Sequence, residues 1–182
     1  MSKKIAIISG SIRKEGYSSQ LAQAFKSLFP EDYETEIIEI GHLPLYNQDF
    51  DAGTPPESYT EFRQKMGEKD AVLFITPEHN RTIPAALKNV LDVGSRPYGQ
   101  SAWDGKPAAV ISNSPGMLGG FGANHHLRQV LTFLNMPILQ QPEAYISKVA
   151  ELLDGNGGFK SESTQKYAQT IVDAFVDHID RY

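Results

Sequence analysis

The chain has 182 residues, a formal net charge of −5 and no cysteine, which excludes disulfides, iron–sulfur clusters and thiolate chemistry and argues against nucleic-acid binding, where a basic footprint is needed. A hydrophobic fraction of 40% with 21% charged residues is ordinary for a soluble protein, and no apolar run approaches the roughly 20 residues of a membrane span. One domain over residues 1–182 is expected at about 150 residues per domain; the apolar stretch in "MSKKIAIISGS" is too short for a secretory leader, so the expected location is cytoplasmic, without membrane insertion.

"KKIAIIS" (Lys3 to Ser9) is a β-branched run bounded by turn residues and reads as a strand buried on both faces. From Ser18 or Ser19 the period changes: Leu21, Phe25, Leu28 and Phe29 fall at helical spacing, and Pro30 stops the helix. "ETEIIEI" (Glu34 to Ile40) alternates like a strand nearer the sheet edge. "GHLPLYNQDFDAGTPP" reads as loop, since its Gly and Pro content opposes a regular element. Glu57 to Glu68 is helical, with Tyr59, Phe62 and Met66 on one face, and "AVLFI" (Ala71 to Ile75) is a second buried strand. Ile83 to Val93 follows as a helix with Pro84 in its first turn, where a missing N–H is harmless. "PAAVIS" (Pro107 to Ser112) is a strand, and Leu127, Val130, Leu131 and Leu134 mark the next helix. A short strand near Ile138 and Leu139, extending toward Ile146, precedes a turn at Leu152 to Ser163 and a C-terminal helix carrying Tyr167, Ile171, Val172 and Phe175.

Strands alternating with helices give a mostly parallel sheet covered on both faces. Five strands and five helices fit an α/β, flavodoxin-like doubly wound five-stranded parallel sheet of order 2-1-3-4-5, in which ligands sit at the carboxyl ends of the strands around the switch point. That geometry selects the loops after strands 1, 3 and 4.

The first, "SGSIRKEGYSSQLA", places Ser9, Ser11, Ser18, Ser19 and Arg13 at the start of a helix. Unpaired N–H groups and the positive dipole end favour an anion there. Serine hydroxyls add donors, and arginine adds a fork-shaped cation. A serine N-cap is the plainer alternative, but it does not account for four serines and an arginine. The P-loop and dinucleotide fingerprints are both absent, which leaves a monophosphate cradle. In "TPEHNRTIPAALKN" (Thr76 to Asn89) an N-cap at Thr82 followed by Pro84 accounts for the helix start, but not for Pro77, Glu78, His79 and Asn80. In "NSPGMLGG" the glycines Gly116, Gly119 and Gly120 allow close backbone approach to a ligand. A phosphate site beside two such backbone loops suits a flat ring with a phosphorylated tail, and FMN occupies the same switch point in this architecture.

"GSIRKEGYSSQLA", "LPLYNQD", "TPEHNRTIPAALKNVLD", "SRPYG" and "SPGMLGG" with the later "HLRQVL" together resemble the NAD(P)H-dependent FMN reductase family, which includes quinone and chromate reductases. The resemblance runs from Lys3 to about Ile146. It implies that Ser11, Arg13 and Ser18 bind the FMN phosphate, that Pro77, Glu78, His79 and Asn80 lie along the ring and ribityl chain, and that Ser114 with Gly116 to Gly120 closes the other side. Where the family often carries Ser-x-Asn before the helix, this chain has Gly16 and Ser18, so phosphate contacts pass to Ser19. Where the family usually has tyrosine after Pro-Glu, this chain has His79.

The resemblance implies hydride transfer from NADPH or NADH to FMN and onward to a small-molecule acceptor: a quinone-like compound, chromate, an azo compound or free flavin. The flavin carries the chemistry, so no catalytic side chain is required; backbone N–H groups of the Pro77 to Asn80 loop are expected to steady negative charge on the reduced ring. His79 is a candidate proton donor, with a solvated loop histidine as the plainer reading. The adjacent His125 and His126 lack metal-ligand spacing. Arg96, Tyr98 and Trp103 are expected at an interface between copies of the chain, as homodimer or homotetramer. The rival function is a flavodoxin-type FMN electron carrier that does not use NAD(P)H; another is an FMN-free binding module.

Overall fold

The computed structural model describes residues 2–182. The elements run β1 (Lys3–Ser9), α1 (Tyr17–Lys26), β2 (Tyr33–Ile38), α2 (Gln48–Ala52), α3 (Glu57–Gly67), β3 (Ala71–Pro77), α4 (Ala85–Gly94), β4 (Ala108–Asn113), α5 (Phe121–Phe133), β5 (Ala144–Ile146), α6 (Val149–Leu152) and α7 (Glu162–Ile179). The strands form one parallel sheet of order β2-β1-β3-β4-β5, the order expected from the sequence. β1 and β3 are nearly continuous apolar runs because each is flanked by strands and covered on both faces. The two-residue period of the pleat divides them: Ile5, Ile7, Leu73 and Ile75 pack with Leu21 and Phe25 of α1 and Phe175 of α7. Ala6, Ile8, Val72 and Phe74 face α3, α4 and α5 on the other side.

Several elements differ from their expected form. α1 ends at Lys26, and Leu28 and Phe29 reach the core from the turn that follows. Residues 48–52, expected to be loop, form α2: Asn47 accepts a bond from the Asp49 N–H at 3.0 Å and so caps it. Tyr46 and Phe50 pack there on the buried Tyr59 ring. Its position is fixed by Asp51, which accepts from Tyr46 Oη at 2.9 Å and pairs with Arg63 at 2.8 Å. The last strand begins only at Ala144. Ile138 makes a single bridge to Ala108, because Pro137 and Pro142 bracket a segment that cannot donate continuously to a ladder.

Trp103, expected at an interface, is instead fully buried. Its indole donates to the Leu91 carbonyl at 2.9 Å and packs between Phe62 and Phe74. An indole is large and its N–H needs a partner, so the end of α4 supplies both a wall and an acceptor. Gly94 makes the fit possible, since a β-carbon there would lie 2.6 Å from the indole. Gly94→Ala is therefore expected to lower unfolding stability by about 1–3 kcal/mol through overpacking, measured by denaturant titration; unchanged stability would contradict this packing.

Candidate functional site at the carboxyl edge of the sheet

All five strands end on one side, and the loops after β1, β3 and β4 meet there. The β1 loop is organised by Ser9. Its hydroxyl accepts from the Ser11 N–H at 3.2 Å, donates to the Ser11 carbonyl at 3.2 Å and lies 3.3 Å from Ser19 Oγ. Ser11 Oγ in turn accepts from the Arg13 N–H at 3.3 Å. Gly16 is the N-cap of α1 and provides no capping side chain. The serine cap offered by the sequence as the plainer alternative is thus not used; the Ser19 and Gln20 N–H groups both bond the Gly16 carbonyl at 3.0 Å, and the Tyr17 and Ser18 N–H groups are left for an outside acceptor. An open groove of about 570 Å³ runs from Ser9, Ser11, Arg13, Lys14 and Ser19 toward the end of β2 and His42. Arg13 is exposed and Ser19 half-buried, so both are accessible from it.

Ser18 is differently placed. It is buried in the first turn of α1, where its hydroxyl accepts from Asn113 Nδ2 at 2.8 Å. The same amide donates to the Thr76 carbonyl at 3.2 Å. Asn113 therefore ties the start of α1 to the end of β3, and Ser18 keeps its hydroxyl proton for another acceptor. Gly10 completes the junction: its N–H donates to the Ile75 carbonyl at 2.8 Å, and a β-carbon would meet Thr76, Leu87 and Pro77.

After β3 the chain makes a two-residue hairpin turn. His79 and Thr82 exchange both backbone hydrogen bonds, at 2.9 and 3.0 Å, and Asn80 and Arg81 have φ of 50° and 69°. Two left-handed residues in succession define the type I′ form; asparagine tolerates that conformation, whereas arginine is under strain there. Thr82 does not cap α4. The N-cap is Pro84, and Thr82 Oγ1 lies 2.9 Å from His126 Nδ1. His79 and Asn80 are exposed, and because the His79 N–H is used in the turn, it is not available to a ring. Glu78 points away from the edge, to α5: its carboxylate accepts from the Ala123 N–H and from Arg81 Nη1, each at 3.1 Å.

In the β4 loop, Ser114 Oγ accepts from the Gly116 N–H at 3.0 Å, and Ser147 Oγ donates to the Met117 carbonyl at 2.6 Å. Gly119 and Gly120 have positive φ, and a β-carbon on either would strike Tyr145 or the end of β4. Their first role is thus to bring the loop onto β4 and β5. Beyond them Phe121, His125 and Tyr145 form an aromatic cluster in which Tyr145 Oη lies 3.1 Å from His125 Nε2. Burial, followed by Glu143, holds the Tyr145 phenol above its usual pKa range.

Two organising residues were not singled out in the sequence. A polar residue closing an apolar strand, as in "AAVISN", was the available signal for Asn113. Asn89 lies in the sequence of an ordinary helix, but its amide clamps the loop after β2, accepting from the Tyr46 N–H at 2.7 Å and donating to the Pro44 carbonyl at 2.8 Å.

The family model for NADPH-dependent FMN reductase matches residues 3–151. The chain belongs to the NADPH-dependent FMN reductase family. It is accordingly an oxidoreductase with FMN as cofactor and NAD(P)H as co-substrate. A quinone reductase of Pseudomonas putida is 53% identical over 175 residues, covering 96% of this chain and 94% of the relative. A 2-hydroxy-1,4-benzoquinone reductase of Burkholderia sp is 45% identical over 175 residues, covering 96% and 95%. Among solved structures, FerB, a flavoenzyme NAD(P)H:(acceptor) oxidoreductase from Paracoccus denitrificans, superposes with a TM-score of 0.90 at 39% identity, covering 98% of both chains. A flavodoxin from Pseudomonas aeruginosa, at 18% identity and a TM-score of 0.59 over 97% of this chain and 99% of that one, shares the fold.

Because Asn113 joins α1 to β3, Asn113→Leu would leave Ser18 Oγ and the Thr76 carbonyl without their donor. FMN affinity is expected to fall by about tenfold or more, measured by quenching of flavin fluorescence on titration with apoprotein; an unchanged Kd would show that this junction does not set the site.

Proposed function

We propose that this protein reduces quinones with NAD(P)H, with the FMN phosphate seated at the start of α1 and the flavin ring along the β3 and β4 loops. One observation carries the reading: the α1 N-terminus has no side-chain cap and is ringed by Ser9, Ser11, Ser19 and Arg13 at the ligand edge of a doubly wound sheet. Quinone is favoured as acceptor because relatives at 53% and 45% identity, aligned over nearly their whole length, are named for quinone reduction.

FMN, when bound, would supply the two-electron hydride chemistry that links NAD(P)H to the acceptor. The chain's own residues bind and orient. Ser11, Ser19 and Arg13 would hold the phosphate by charge-assisted bonds, with Ser18 donating its remaining proton from below. The backbone N–H groups of Glu78 and Asn80 would face the polar edge of the ring, where donors fixed in place stabilise negative charge without reorganising. Ser114, Gly116 and Gly119 shape the opposite wall. With Pro77 at the end of β3 and His79 and Asn80 exposed, one open face serves first the nicotinamide and then the acceptor, including chromate, azo compounds or free flavin where they fit. The same reading has one domain over residues 1–182 acting in the cytoplasm as a homodimer or homotetramer; Tyr98 and Phe133, 91% and 89% exposed, are the apolar surfaces an oligomer would cover. Among the described residues, no helix is long and apolar enough to cross a membrane.

The purified protein is expected to bind FMN and oxidise NADPH in the presence of a benzoquinone in steady state; absence of turnover would favour a carrier. Arg13→Ala should raise the FMN Kd roughly tenfold, and an unchanged value would remove Arg13 from the phosphate site.

A further inference from the structure

We propose that Glu78 is a positioning residue that locks the β3 turn onto the first turn of α5, so that the two backbone segments flanking the flavin ring move as one body. The inference rests on the FMN site proposed above.

The N-cap of α5 is Gly120, which has no capping side chain, and the first turn of the helix contains no acidic residue. The Glu78 carboxylate fills that role from 45 residues upstream. One oxygen accepts from the Ala123 N–H, and the other accepts from Arg81. With its side chain only 13% exposed, the carboxylate sits at the positive end of a 13-residue helix, where a negative charge is favourable. Gly122 is part of the same fit: a β-carbon would lie 3.0 Å from Glu78 Oε2 and 2.9 Å from the Arg81 carbonyl. Further along α5, His126 meets Thr82 at 2.9 Å. The strained turn at Asn80 and Arg81 is thereby held to α5 at both ends, as a left-handed non-glycine pair requires if it is to persist.

This arrangement also explains how an acidic residue can stand in a flavin-binding turn. Directed at the ring, a carboxylate would oppose the negative charge that reduction brings. Directed at the helix end and paired with Arg81, it is neutralised locally and leaves the turn's backbone N–H groups to the ring.

The test compares FMN affinity, visible flavin absorption and apoprotein melting for wild type, Glu78→Ala and Glu78→Gln. A tether predicts that Glu78→Ala raises the FMN Kd about fivefold to thirtyfold. Glu78→Gln, whose amide oxygen can still accept from Ala123, should restore it to within about threefold of wild type, with the absorption bands unshifted. Gly122→Ala, which pushes a methyl group between carboxylate and helix, should weaken FMN binding in the same way and provides the check if Glu78→Ala does not fold. An unchanged Kd in Glu78→Ala and Gly122→Ala, even with lowered melting temperatures, would overturn the proposal in favour of a purely structural cap. Shifted absorption bands, with Glu78→Gln as impaired as Glu78→Ala, would overturn it in favour of direct ring contact. A wild-type protein that binds no FMN would instead refute the site on which the inference rests.

Discussion

The carboxyl edge of this sheet is held together by one buried amide. Asn113 ends the fourth strand, and its side chain donates both to the hydroxyl in the first turn of α1 and to the carbonyl that ends β3. Without it, the Ser18 hydroxyl and the Thr76 carbonyl would lose this donor in a buried junction, at a cost of about 1–3 kcal/mol for each group left unsatisfied. With it, the N-terminus of α1 and the turn after β3 are held in fixed register. The parallel sheet places loops 1, 3 and 4 side by side, and Asn113 converts that neighbourhood into a defined geometry.

The same pattern recurs around the site. Asn89 clamps the loop after β2 to α4, and Asp51 with Arg63 and Tyr46 anchors α2. Ser9 folds the first loop back on itself, and Glu78 joins the third loop to α5. In each case a side chain bonds a neighbouring turn, a distant backbone or a partner on another element, and so restricts the loop's conformation. Preorganisation of this kind reduces the ordering cost of binding.

The fold was legible because its signals are local. Buried parallel strands read as unbroken apolar runs, such as "AVLFI", and amphipathic helices carry their period in the sequence. The edge loops were legible as unusual, and their family resemblance as specific. What did not show was direction. Glu78 and Ser18 sit inside ligand-type motifs, yet one side chain turns to α5 and the other is buried beneath the loop, and no spacing rule gives a side chain's aim. Trp103 looked like an interface residue because nothing local shows that Gly94 leaves room for an indole. α2 was hidden by its length: five residues between glycine and proline punctuation carry too little periodicity to stand out, and tertiary packing on Tyr59 decides the outcome.

The proposed function turns on a phosphate seat at the uncapped start of α1. Comparing the affinities of the apoprotein for FMN and for riboflavin, by calorimetry under one buffer condition, isolates that group, because the two ligands share the ring and the ribityl chain and differ only in the phosphate. The account predicts that FMN binds at least about a hundredfold more tightly, the equivalent of one or two charge-assisted hydrogen bonds. Equal affinities would contradict it and would place the cofactor's anchor elsewhere on the edge.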